Sequence, residues 1–208
     1  AGYVPDWQFM ENYIKSLHYK PLTTEKKKGY SNELRVEKWK WFSLKEISNV
    51  YTGDDLILSM VDDGEIPVAS HKVENNGVGA MVDKIDNRQL FDCEKTIALA
   101  DRGCFHASVQ TEDFYIGTRV KALEMKCCVS KGVLIFIATI VNQETFKYSY
   151  GRNCTAGVEN VRIKLPVKHN DDGIIFIDDE HTYSDEGYVP DWQFMEDYIK
   201  SLPYGDRL

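Results

Sequence analysis

With 208 residues, 43% of them hydrophobic, the chain is long enough for one medium domain with an appendage. Its net charge of −8 argues against a protein that coats DNA indiscriminately. No run reaches membrane-spanning length, "GVLIFIATIV" at 132–141 being too short, and the mixed N-terminus carries no secretory signal.

Charge is unevenly spread. Eight basic residues stand against three acidic ones between Lys20 and Lys45, whereas ten acidic residues and no Lys or Arg lie between Asp171 and Asp197. The five cysteines, Cys93, Cys104, Cys127, Cys128 and Cys154, form no CxxC pair and read as reduced thiols of a cytoplasmic protein.

The first expected element is a helix in "GYVPDWQFMENYIKSL" at 2–17. Pro5 suits a first helical turn, and Asp6 complements the positive helix N-terminus. Trp7, Met10, Ile14 and Leu17 form a heptad-like seam, widened by Phe9 and Tyr13. Residues 1–20 therefore read as an N-terminal helix segment and 21–38 as a polar linker. A central domain is expected over 39–186. Within it a short helix is predicted at 42–53, strands at 64–70, 79–85, 95–100 and 105–110, and a buried helix at 130–146. A strand is predicted within 157–167 and an edge strand at 171–180, flanked by acidic residues. The opening segment then returns at 187–202, with Asp197 in place of Asn12, and a C-terminal helix is assigned to 187–208. Its seam is Trp192, Met195, Ile199 and Leu202, and Pro203 ends it. Each helix is marginal alone, so the matching seams are expected to bury each other. The fold class is thus α+β: one domain of mixed short strands and helices, with N- and C-terminal helices pairing as an antiparallel coiled coil.

Machinery for chemistry is sparse. There is no GxxxxGK(S/T), GxGxxG or GxSxG, and no Pro-Pro to serve a base-holding methyltransferase tetrapeptide. Pro5-Asp6 followed by Glu25-Lys26-Lys27 formally matches a Mg²⁺-dependent nuclease, which would use Asp6, Glu25 and Lys27. The context is wrong, since the first pair begins an amphipathic helix and the second sits in a linker. Cys104 and His106 would share one strand face, and His71, His106, His169 and His181 lack ligand spacing. No metal site and no cofactor are expected.

What remains is recognition. Three loops concentrate groove-reading side chains: "SHKVENNG" at 70–77, "DRGCFH" at 101–106 and "KYSYGRNCTAG" at 147–157. The candidate DNA-contacting residues are Ser70, His71, Lys72, Asn75, Asn76, Arg102, His106, Tyr148, Tyr150, Arg152 and Asn153. Lys26, Lys27 and Lys28 would add attraction for phosphates. A separate reading makes the acidic stretch at 171–197 a protein-binding or DNA-mimicking module.

Several segments, in order, resemble the specificity subunit of Type I restriction-modification systems and the related subunits of bipartite-site systems. They are "WKWFSLKEISNVYTG" (39–53), "GEIPVASHKVENNGVGAMV" (64–82), "ADRGCFHA" (100–107) and "YSYGRNCTAGVENVRIKLPV" (148–167), with "PDWQFMEDYIKSLPYGDRL" (190–208) as the following helix. The resemblance implies a non-catalytic reader of one half of a split site in double-stranded DNA. It implies partnership with adenine-N6 methyltransferase (modification) subunits and with restriction or translocase subunits. It casts the terminal repeats as spacer helices that set the distance between readers. Only one recognition domain is present, so a homodimer is expected to rebuild a two-fold reader. Alternatively, the chain is the recognition portion of a Type IIB/IIG enzyme.

Overall fold

The computed structural model describes residues 3–16, 34–57, 60–148, 151–203 and 205. In chain order its elements are α1 (Trp7–Ser16), β1 (Lys40–Ser43), α2 (Leu44–Ile47), β2 (Ser48–Thr52), β3 (Asp63–Ala69), β4 (Val78–Val82), β5 (Thr96–Ala100) and β6 (His106–Val109). They continue with β7 (Tyr115–Ile116), β8 (Val120–Met125), α3 (Lys131–Asn142), β9 (Arg162–Leu165) and α4 (Trp192–Ser201).

Three sheets build the domain. A four-stranded antiparallel sheet has the order β2-β8-β5-β6, a smaller one runs β4-β3-β7 with β7 parallel to β3, and β1 pairs with β9 as a two-stranded ribbon. β5 is buried at every position because both its faces are covered. Ile97 and Leu99 pack in a core shared with α3, α4 and the ribbon, whereas Ala98 joins Ala69, Phe91, Phe114 and Ile116 near the smaller sheet. Its apolar run Ile97–Ala100, after the buried Thr96, is the pattern of a strand shielded on both sides. The α+β expectation therefore holds, with the predicted strands at 64–70, 79–85, 95–100 and 105–110 observed as β3, β4, β5 and β6.

Two local expectations change. The helix predicted at 42–53 is a single turn, α2, between two strands. Ser43 donates its backbone N–H to Glu46, and Ser48 Oγ donates to Leu44 O at 2.8 Å, closing the turn. Val50 and Tyr51 then favour extension, and β2 adds to β8. The edge strand predicted at 171–180 is a turn-rich excursion with isolated bridges His169↔Ile175 and Ile177↔Tyr188. Its carboxylates cap backbone instead: Asp172 Oδ1 accepts from Ile174 N at 2.9 Å, and Asp178 Oδ2 accepts from Thr182 N at 3.0 Å.

The terminal repeats carry the main correction. Both copies form helices of the same bounds, each capped by its aspartate: Phe9 N donates to Asp6 Oδ1 and Phe194 N to Asp191 Oδ1, both at 2.9 Å. Their surroundings differ completely. The seam of α4 lies on α3: Met195 and Ile199 are 0% and 7% exposed, Tyr198 meets Phe136 edge-on at 5.8 Å, and a Cβ at Gly132 would stand 3.6 Å from Ile199. Trp192 is half-buried against Tyr183, and Leu202 stays exposed. By contrast α1 buries nothing, with Trp7, Met10 and Ile14 exposed at 69%, 48% and 54%. Among the described residues the expected antiparallel pairing of α1 with α4 is therefore not made, because α3 already occupies the seam of α4. Leu17 lies outside the described residues, as do Glu25, Lys26, Lys27 and Lys28. Among the described residues no helix is long and apolar enough to cross a membrane.

Candidate nucleic-acid interface

Two of the three loops are hairpin turns and the third follows α3. The first, 70–77, joins β3 to β4 and closes on itself, since Ser70 N and Ser70 Oγ both donate to Gly77 O at 2.8 and 3.0 Å. Asn75, Asn76 and Gly77 adopt left-handed φ of 52°, 52° and 79°. Asparagine and glycine tolerate that region, so the sharp tip is written into "NNG". Asn76 Nδ2 then donates to Val109 O at 2.9 Å, while Gln110 Nε2 donates to Asn76 O at 3.0 Å. These bonds pin the tip to the end of β6.

Joining β5 to β6, the second loop is bonded to both of the others. Cys104 Sγ donates to His71 O at 3.2 Å, Gly103 N donates to Asn153 Oδ1 at 3.1 Å, and Cys154 N donates to Asp101 O at 3.0 Å. Three segments far apart in sequence thus form one continuous surface. Beneath it lies a buried ion pair: Asp101 and Lys121 have side chains 1% and 9% exposed and 3.4 Å apart, and Lys121 Nζ also donates to Thr52 Oγ1 at 3.0 Å. Asn142, at the end of α3, clamps Ala107 by accepting from its N–H at 2.7 Å and donating to its carbonyl at 2.9 Å. This sets the position of the neighbouring His106.

The predicted contact residues divide by what their side chains do. His71, Lys72, Asn75, Arg102 and Arg152 are exposed on this surface. Ser70, Asn76 and Asn153 use side-chain groups on neighbouring backbone, which makes them positioning residues. His106 is half-buried, and desolvation holds its pKa below the usual histidine value, so near neutral pH the imidazole is uncharged and offers one donor and one acceptor. Tyr148 is also half-buried, with its ring 4.5 Å from that of Phe105. Burial, followed by a hydrogen bond with the Cys154 thiol, pushes its hydroxyl up to about 12, so it stays protonated. Tyr150 lies outside the described residues.

Sequence reasoning missed residues beside these loops. On the β1–β9 ribbon, Phe42, Ile163 and Leu165 face the core, while Trp41 remains 42% exposed. Arg162 and Lys164 both lie over the Trp41 ring, at 5.7 and 5.4 Å from its centroid. A groove of about 300 Å³ runs from Trp41 and Arg162 to Tyr148. A signal was present as alternation in "RIKL", but none was in "KWFS", and the pairing Trp41↔Lys164 joins opposite ends of the domain.

Comparison with known proteins gives concordant matches. A family model described as Type I restriction modification DNA specificity domain matches residues 36–177. The chain is 27% identical over 215 residues to the specificity subunit S.BcgI of the Type II restriction enzyme BgcI of Heyndrickxia coagulans, covering 97% of this chain and 55% of that protein. The chain thus spans about half the length of this curated relative. Its fold is similar to the crystal structure of the HsdS subunit from Thermoanaerobacter tengcongensis, with a TM-score of 0.51 and 13% identity over 84% of this chain and 38% of that one. The Type I restriction-modification S subunit from M. genitalium matches at a TM-score of 0.47 and 14% identity, covering 69% of this chain and 37% of that chain.

Proposed function

Because the chain belongs to the Type I restriction modification DNA specificity domain family, we propose that it reads one half of a bipartite site in double-stranded DNA and docks adenine-N6 methyltransferase subunits. The observation that carries this reading is the hydrogen-bonded union of the loops at 70–77, 101–106 and 151–154 into one face. A reader must hold its base-contacting groups in fixed register, and loops anchored to one another and to neighbouring backbone do so. Arg102 and Arg152 suit guanine, Asn75 suits adenine, and Lys72 suits phosphate. Residues 39–186 act as the target-recognition domain, 21–38 as linker, and 1–20 and 187–208 as spacer segments.

The chain works without catalysis, cofactor or metal of its own, in the cytoplasm, and leaves base flipping and methyl transfer to its partner. Restriction or translocase subunits join the same assembly. Two chains pair through the seam of α1, Trp7, Met10 and Ile14, which is exposed in the single chain. Asp6, which the nuclease reading needs, caps α1 with its carboxylate. A second reading, the recognition subunit of a Type II enzyme, draws on the similarity to S.BcgI, the specificity subunit of such an enzyme.

Co-expression with an adenine-N6 methyltransferase subunit, followed by mapping of methylated adenines, tests the proposal. The expected map is an interrupted motif, palindromic when two identical chains read it. Methylation without a motif, or none above the methyltransferase alone, contradicts the assignment.

A further inference from the structure

The ribbon beside the reading loops has a chemistry of its own. β9 alternates, with Ile163 and Leu165 buried between the outward Arg162 and Lys164, and on β1 the outward Trp41 stands opposite Lys164. Two cations held over one indole repel each other, and the ring quadrupole offsets that only in part. Among the described residues neither Arg162 nor Lys164 forms an ion pair. In a chain of net charge −8, two such cations side by side form a local site for an anion. The groove lined by Trp41 and Arg162 leads to the reading surface, because Tyr148 lines it too and also packs on Phe105 of the second loop. Its one carboxylate, Glu144, is engaged by Lys147, and Lys45 Nζ reaches Asn160 Oδ1 at its rim at 3.0 Å.

We propose that Arg162 and Lys164, held over Trp41 on the outward face of the β1–β9 ribbon, take the phosphate backbone of the duplex next to the base pairs the loops read. This rests on the DNA-reading function proposed above and adds a sequence-independent contact to it. The planar guanidinium of Arg162 suits bidentate phosphate binding, and Lys164 supplies a point charge. Trp41 acts as a positioning residue that keeps both cations at the surface.

The complete chain is titrated with its selected target duplex and with a scrambled duplex over a range of salt. Arg162→Ala and Lys164→Ala each weaken both complexes by the same factor, and each lowers the slope of log affinity against log salt by about 0.9. The double variant lowers it by about 1.8. Arg162→Lys keeps the charge and keeps the slope, and unchanged circular dichroism confirms folding throughout. An unchanged slope in the double variant, with wild-type target binding intact, overturns the phosphate contact and leaves the loop reading standing. An unchanged slope with lost capture of the methyltransferase subunit makes the face a protein contact and overturns it equally. Failure of the wild-type chain to bind any duplex removes both.

Discussion

Ile199→Ala lowers the stability of the chain by about 2–5 kcal/mol, while Ile14→Ala changes it by less than about 0.5 kcal/mol. The two residues sit in the same local sequence, "DYIKS" against "NYIKS", on helices capped in the same way. Ile199 is 7% exposed and packs on Gly132 of α3, so truncation leaves a cavity in the core. Ile14 is 54% exposed and has no packing to lose in the single chain. Urea midpoints at constant m-value, taken in dilute solution where chains do not pair, measure the difference. Equal losses at both positions would mean that α1 is packed as α4 is. A loss at Ile14 that emerges only as concentration rises is the behaviour expected of a seam joining two chains.

Asp101→Ala costs about 3–5 kcal/mol, since it strands the Lys121 ammonium in a site only 9% exposed. Lys121→Met is similarly damaging, because it leaves a buried carboxylate whose two oxygens have no hydrogen-bond donor among the described residues. Replacing both together, Asp101→Ala with Lys121→Met, recovers most of the loss, as removing a buried pair is far less harmful than breaking it. The consequence reaches the proposed reading face, because Cys154 N donates to Asp101 O where the second and third loops meet. Single variants therefore lose sequence preference along with stability, as read by thermal midpoint and duplex binding on the same samples. A double variant as unstable as either single one would show that the ion pair is not the cause.

Much of this architecture was legible where local chemistry and tertiary context agree. β3, β4, β5 and β6 are bounded β-branched or small-residue runs, and "NNG" specifies its left-handed tip without outside help. β8 gave no such signal, for Val120–Met125 contains Lys, Ala, Leu, Glu and Met, residues that favour helices. It is a strand because β2 and β5 flank it on both sides. The terminal repeats show the same limit from the other direction: a seam states that a helix needs a partner and does not say which one. Nor can spacing reveal Trp41 beside Arg162 and Lys164, since only the pairing of β1 with β9 brings them together.

Selection of bound sequences from a pool of random duplexes, run in parallel with the wild-type chain and with Arg102→Ala, tests most directly whether the joined loops read bases. The expected wild-type result is a short enriched motif. In the variant, one position of that motif relaxes by about 1–3 kcal/mol of discrimination while the others persist. A wild-type pool that stays random, or a motif that is the same in both chains with every position equally sharp, would contradict the assignment of that surface.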